Sequence, residues 1–251
     1  MDLADRLAAV DARIADAMRA SRRDPGDITR IVVTKFHPAE LITRLYALGV
    51  RDIGENRQQE LTAKRAEVPS LDGLRWHFIG QAQTKKARAI RAGADAVHSI
   101  DRDRIADALH RAGEPGAPGQ PGRPGEPGRP GEPGQQGESV APLDVLLQVN
   151  LTDDPGRGGV PLGGVEALAS HVVAACPSLR VRGVMGVAPL DEAPAAAFAR
   201  LADARVRVRS VVPEADWMSA GMTGDFEEAI AAGATHLRIG SAITGPRPVH
   251  G

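Results

Sequence analysis

Hydrophobic and polar positions alternate along this chain with two distinct periods. Residues 2 to 20 place Leu3, Leu7, Val10, Ile14, Ala17 and Met18 on one helical stripe with Arg and Asp elsewhere, which predicts an amphipathic helix ahead of the main fold. That helix is expected to cover one end of the core. From Ile28 onward, short β-prone runs are followed by longer helix-prone runs, and eight such units can be counted. The predicted strands are Arg30 to Phe36, Val50 to Gly54, Leu74 to Gly80, Ala96 to Ser99, Leu143 to Val149, Val181 to Val187, Asp216 to Ser219 and His236 to Gly240. Helices are predicted over Ala39 to Leu48, Arg57 to Val68, Thr84 to Ala92, Arg102 to Arg111, Gly164 to Ala175, Pro194 to Arg209 and Asp225 to Ala232. Gly49, Gly93 and Gly233 stand where a helix stop places a C′ glycine.

Strands separated by crossover helices run parallel, and eight is the number that closes a barrel. The expected fold is therefore α/β, a modified (β/α)8 TIM barrel with an extra N-terminal helix, and a doubly wound open sheet is the alternative. One domain over residues 1–251 suffices for it. A single segment breaks the rhythm: between Gly113 and Gly137 glycine recurs at every third position, nine times, usually with proline just before it. This collagen-like composition fits a polyproline-type chain, which over such a length spans roughly 80 Å when extended at about 3.1 Å per residue. Helix-to-strand connections in such folds usually take about 2 to 6 residues, so a straight rod could not leave and return. The tract at 113–138 is expected to be a disordered loop insertion on the face carrying the N-terminal strand ends, away from the chemistry.

Composition narrows the function classes. Hydrophobic residues make up 42% of the chain and aromatics only 3%, so the core must be aliphatic. Lys and Arg number 31 against 32 acidic residues, which leaves no global field to recruit nucleic acid or an anionic membrane. The single cysteine, Cys176, lies in an apolar run and reads as a small core residue. With an acidic, amphipathic start and no run of membrane-spanning length, the expectation is a soluble cytoplasmic protein.

Barrel enzymes and binding proteins carry their functional groups where strands exit at the C-terminal face. The first strand exits through Val33-Thr34-Lys35-Phe36-His37-Pro38, placing an ammonium that must be paired, solvated or consumed in a covalent bond. The exits of the last two strands hold Ser219, Gly221 and Thr223, then Gly240 and Ser241. Small residues and hydroxyls there can form a phosphate cradle, although the same residues also cap helices. A cradle opposite a strand-end lysine points to a phosphorylated aldehyde held as a Schiff base.

Val33 to Pro38, Ile53-Gly54-Glu55-Asn56-Arg57-Gln58-Gln59-Glu60, Trp76-His77-Phe78-Ile79-Gly80-Gln81, Met218 to Asp225 and Leu237 to Gly245 occur in that order. Together they resemble the pyridoxal phosphate homeostasis protein family, from about Leu3 to Arg247 without the Gly-Pro insert. The resemblance implies a barrel like the alanine racemase N-terminal domain, with pyridoxal 5′-phosphate as cofactor on Lys35. It implies Arg238 beside the pyridine nitrogen, Asn56 and His77 lining the pocket, and Met185 near the ring. The chain departs from the family pattern at Ala220, where many relatives have Met, and at Asp154-Pro155-Gly156-Arg157-Gly158, where many have a lysine before a glycine.

No second catalytic base is identifiable, since the only tyrosine, Tyr46, falls within the helix after the first strand. The expected function is non-enzymatic: the protein binds pyridoxal phosphate and takes part in its intracellular homeostasis, with pyridoxal phosphate-dependent apoenzymes as possible recipients. The alternative is an active fold-type III enzyme such as an amino-acid racemase. Lys85 and Lys86 are the rival lysines, no metal site is expected, and the expected assembly is a monomer or weak dimer.

Overall fold

The computed structural model describes residues 1–114 and 141–247. Its strands are β1 (Thr29–Val33), β2 (Asp52–Glu55), β3 (Arg75–Phe78), β4 (Ala96–Ile100), β5 (Leu143–Asn150), β6 (Val160–Pro161), β7 (Leu179–Met185), β8 (Trp217–Ser219) and β9 (His236–Ile239). All pair in parallel, in the order β4-β3-β2-β1-β9-β8-β7-β5, and a further β4–β5 pairing closes the ring. Eight strands therefore form the barrel. The two-residue β6 pairs only with the end of β5, outside the ring, and was not anticipated from the pattern.

Alternation of side chains along each strand sorts this barrel into two environments. Ile53, Trp76, Phe78, Val97, Val145, Leu147, Met218, Leu237 and Ile239 belong to the continuous apolar core shared with the helices. Positions of opposite parity, including Ile31, Val33, Ala96, Leu146 and Met185, are buried but stand apart from that core and fill the lumen. Polar lumen positions follow the same parity: His77, His98, Ser219, His236 and Arg238 are all buried.

The helices are α1 (Leu3–Ala20), α2 (Glu40–Ala47), α3 (Gln58–Glu67), α4 (Ala87–Gly93), α5 (Asp103–Arg111), α6 (Val165–Ala175), α7 (Pro194–Val211), α8 (Phe226–Ala231) and α9 (Ser241–Thr244). Asp2 caps α1 by accepting from Asp5 N at 2.8 Å, and the Asp5 carboxylate accepts from Asp2 N at 3.0 Å, a reciprocal capping box. Its predicted apolar stripe is buried through Leu3, Leu7, Val10, Ile14 and Met18. The expectation that α1 covers an end of the core is corrected. Arg13 pairs with Glu227 at 2.6 Å, Arg6 Nε donates to Ile243 O at 2.7 Å and Arg23 donates to Ile230 O at 2.9 Å. These contacts lay α1 along the flank beside α8, where the four-residue α9 is too short to complete the outer ring.

Two of the three helix-stop glycines are left-handed, Gly49 at φ +88° and Gly233 at φ +94°. Gly93 differs: it is the last residue of α4, and a Cβ there would stand 3.0 Å from Leu61 Cγ, so it serves the close packing of α3 against α4. The Gly-Xaa-Pro tract falls, from residue 115 onward, outside the described residues. The chain leaves after α5 and returns just before β5, at the N-terminal face of the barrel. No helix among the described residues is long and apolar enough to cross a membrane.

Candidate functional site

Lys35 stands two residues beyond the end of β1 and is held there by side chains beneath it. Thr34 is fully buried, and its hydroxyl donates to Glu55 Oε1 at 2.5 Å. The Lys64 ammonium donates to the same oxygen at 2.7 Å and to Thr34 O at 2.8 Å, and it lies 3.5 Å from Glu60 Oε2. Glu60 in turn accepts the backbone N–H of Phe36 at 2.7 Å. Phe36 has a φ of +69°, a left-handed conformation that costs a β-carbon residue on the order of 1–3 kcal/mol and persists only where its surroundings enforce it. Burial pushes the Glu55 carboxyl up, Lys64 and Thr34 pull it back, and Glu60 adds to the rise, leaving it above the usual carboxylate range.

This network engages Lys64 completely and leaves Lys35 facing a cavity of about 550 Å³. Among the described residues no carboxylate lies in ion-pair range of Lys35, the neighbouring acids being paired with Lys64 and Arg57. The Phe36 ring beside it is approached by three cations: Arg247 at 3.7 Å, Arg57 at 5.0 Å and Lys35 at 5.8 Å from the ring centroid. The volume lies within the range of roughly 300–1,000 Å³ common for small-molecule sites.

Across the cavity stand the loops after β8 and β9, with Thr223, Gly224, Gly240, Ser241, Thr244 and Gly245 on the wall. Arg238, from β9, forms part of the floor and is 5% exposed. Burial pulls its guanidinium down to about 10, Asp225 opposing the shift. Nη2 donates to Gly186 O at 2.9 Å and Nη1 to Ser219 Oγ at 2.7 Å.

Six of the anticipated residues, Lys35, Asn56, Thr223, Arg238, Gly240 and Ser241, meet around this one cavity. Asn56 reaches the rim because Gly80 lacks a Cβ, which would overlap the Asn56 carbonyl oxygen. Four others, His77, Met185, Ser219 and Gly221, stand outside the residues that form its wall. His77 is fully buried in the lumen, its Nε2 2.8 Å from Asp52 Oδ1 and its Nδ1 3.0 Å from His98 Nε2. Ser219 is occupied by Arg238 and by His98 Nδ1, 2.9 Å away. Met185 is buried at the end of β7. Gly221, at φ +88°, is turned so closely against α8 that a Cβ would stand 2.7 Å from Ala229 Cβ. The pattern did not point to Glu55, Glu60 and Lys64 as supports of the Lys35 loop, although Glu55 and Glu60 belong to one quoted motif. Nor did it point to Arg247 or to Ile79, Val187 and Met222 on the wall.

Other chemistry-bearing groups are engaged elsewhere. Tyr46 donates its hydroxyl to Asp72 O at 3.0 Å and stacks with Arg51 at 3.9 Å, far from the pocket wall. Lys85 and Lys86 sit in a single turn after β3, with Lys86 donating to Gln59 at 3.3 Å. Asp107, His171 and Cys176 cluster on the outer flank between α5 and α6. Asp107 accepts from His171 at 2.7 Å and from the Cys176 thiol at 3.6 Å. Burial, reinforced by that carboxylate, pushes the thiol up to about 11, in keeping with an unreactive core residue.

Residues 6–248 match the family described as alanine racemase, N-terminal domain. The chain is 38% identical over 240 residues to the pyridoxal phosphate homeostasis protein of Corynebacterium glutamicum, covering 96% of this chain and 100% of that protein. The protein of the same name from Mycobacterium bovis is 36% identical over 258 residues, covering 98% and 93%. Among solved structures, PipY of Synechococcus elongatus without pyridoxal phosphate superposes with a TM-score of 0.78 at 30% identity, covering 97% of this chain and 100% of that one. Its form with pyridoxal phosphate bound gives 0.76 at 29% identity, with the same coverage.

Proposed function

The chain belongs to the pyridoxal phosphate homeostasis protein family, and from that premise we propose that it holds pyridoxal 5′-phosphate as a Schiff base on Lys35 and serves the intracellular supply of that cofactor without turnover. One observation carries the reading: the Lys35 amine, unpaired among the described residues, shares a cavity with Thr223, Ser241 and the Arg238 guanidinium. The residues fit the group. When bound, it supplies an aldehyde, which condenses with an amine and releases one water. Lys35 offers the amine, while Thr223, Ser241 and the small glycines beside them offer donors and space for a phosphate. Arg238 presents a fixed positive charge at the floor, and such a charge disfavours protonation of a ring nitrogen placed next to it. A ring kept unprotonated is a weaker electron sink.

Absence of turnover is supported by Tyr46, whose hydroxyl is engaged at the far end of α2. Borohydride reduction followed by peptide mass spectrometry tests the anchor: the adduct is expected on Lys35 and is lost in Lys35→Ala. An adduct on Lys64, Lys85 or Lys86 in the wild-type protein would overturn the assignment. Incubation with L-amino acids in deuterated water tests the rest, because α-proton exchange at enzymatic speed would favour the racemase-like alternative over a carrier.

A further inference from the structure

The barrel lumen contains a run of polar groups that the pocket chemistry above does not use. From Arg238 it passes to Ser219 Oγ at 2.7 Å, to His98 Nδ1 at 2.9 Å, from His98 Nε2 to His77 Nδ1 at 3.0 Å, and from His77 Nε2 to Asp52 Oδ1 at 2.8 Å. Ser219, His98 and His77 are 0% exposed or nearly so, and Asp52 opens β2 at the opposite face. The proton positions follow from elementary bookkeeping of donors. A guanidinium only donates, so Ser219 accepts from Arg238 and has one O–H left. That O–H donates to His98 Nδ1, which must be bare. His98 then carries its proton on Nε2 and donates to His77 Nδ1, and His77 donates from Nε2 to the Asp52 carboxylate.

The opposite direction needs an imidazolium at His77, facing Asp52, and it leaves the Ser219 O–H without an acceptor among the described residues, a costly state for a buried hydroxyl. The environment of His98 favours its neutral form as well: burial, then the facing His77, His236, Arg238 and Arg75, hold its imidazole well below the ordinary range.

We propose that His98, with His77 and Asp52 behind it, is a positioning residue of the pocket, acting through Ser219 in one directed hydrogen-bond chain that fixes the Arg238 guanidinium at the floor. Two of the five Arg238 donors are engaged, by Ser219 and Gly186, so the fork has one orientation and the other N–H groups are presented from it without rotational freedom. Because only the direction Arg238 to Asp52 satisfies every group, an anion at the far face stabilises a cation at the pocket.

The inference rests on the cofactor reading for its second readout only. The first is independent of any ligand: nitrogen-15 NMR of histidine-labelled protein at pH 7 is expected to find both His98 and His77 protonated on Nε2 alone. A proton on His98 Nδ1 would overturn the chain. The second uses pyridoxal phosphate itself. His98→Phe is expected to weaken its retention about tenfold, the scale of a lost hydrogen bond in a charged network, and to move the visible absorbance band, whereas His98→Gln, which keeps one acceptor and one donor, recovers most of the loss. Should His98→Phe fail to fold, Ser219→Ala removes a single hydroxyl and carries the same expectation. Unchanged retention and absorbance in a folded His98→Phe or Ser219→Ala protein would sink the proposal. If wild-type protein binds no pyridoxal phosphate, the cofactor reading fails while the tautomers still decide the chain.

Discussion

The β1–β2 side of the pocket and the β8–β9 side reach the same cavity by different means. On the first, side chains do the holding: a buried Glu55–Lys64 pair, 1% and 7% exposed, clamps Thr34, and Glu60 accepts the N–H of a left-handed Phe36. On the second, backbone does it, with a left-handed Gly221 folded against α8 and small residues forming the wall. Lys64 and Lys35 make the contrast explicit. Both serve the exit of β1, but Lys64 is fully engaged below it and Lys35 faces the cavity. The Lys35 amine is thus left unpaired among the described residues, because the neighbouring acids have another cation.

That contrast can be broken from either side. Glu55→Ala takes the nearer of its two carboxylates from the buried Lys64 and is expected to lower unfolding free energy by about 3 kcal/mol, read from urea denaturation. A loss below about 1 kcal/mol would mean that the pair does not clamp the loop. Gly221→Ala strikes the backbone-built side. The left-handed φ and the contact with Ala229 predict a loss of about 1–3 kcal/mol, together with weaker phosphate retention but an intact Lys35 amine.

Acid should act on the lumen that separates the two sides. Burial holds His98 neutral, and burial followed by His77 takes His236 down to about 3, Asp52 opposing. The unfolded chain, with histidine near 6.5, therefore binds protons that the folded one refuses. Stability is complete above about pH 6.5 and falls below it, by up to about 1.4 kcal/mol per pH unit for each histidine. Glu55, raised in the fold, works in the opposite sense, and His37, lowered by burial and then by Lys64 and Arg6, works with the other two, so three histidines against one carboxyl set the sign. Urea midpoints at pH 7, 6 and 5 check this, and a flat series would contradict it. The smallest effects are expected at the two ends of the comparison. Lys35→Ala should change stability by less than about 0.5 kcal/mol while abolishing the reducible adduct. Deleting residues 114 to 137, which attach at the opposite face, should leave both the visible absorbance and the urea midpoint nearly unchanged.

Much of this architecture was legible because buried parallel strands write themselves as apolar runs and helix stops as glycines. All eight barrel strands lie where the runs predict them, with ends displaced by up to three residues, as where β1 stops at Val33 rather than Phe36. Lys35, expected from the exit of the first strand, and Asn56 and Arg238, implied by the resemblance, stand around one cavity. The lumen was not legible in the same way, because a hydroxyl at a strand end looks identical whether it faces the pocket or the axis. Ser219 closes a three-residue strand whose parity turns it inward, and His77 follows the same rule. Lys64 hid for another reason: a lysine on a helix normally reads as a solvated charge, and only tertiary packing reveals that α3 presents it to Glu55.

The flank position of α1 has a consequence for the order in which this molecule can assemble. Arg6 and Ile243 are 237 residues apart in sequence, so α1 completes its docking only once β9 and α9 are in place. Contacts of such separation raise contact order and slow the final step of folding. Until then the apolar stripe of Leu3, Leu7, Val10 and Ile14 lacks much of the surface that it covers in the fold, and transiently exposed apolar surface of this kind is prone to aggregation.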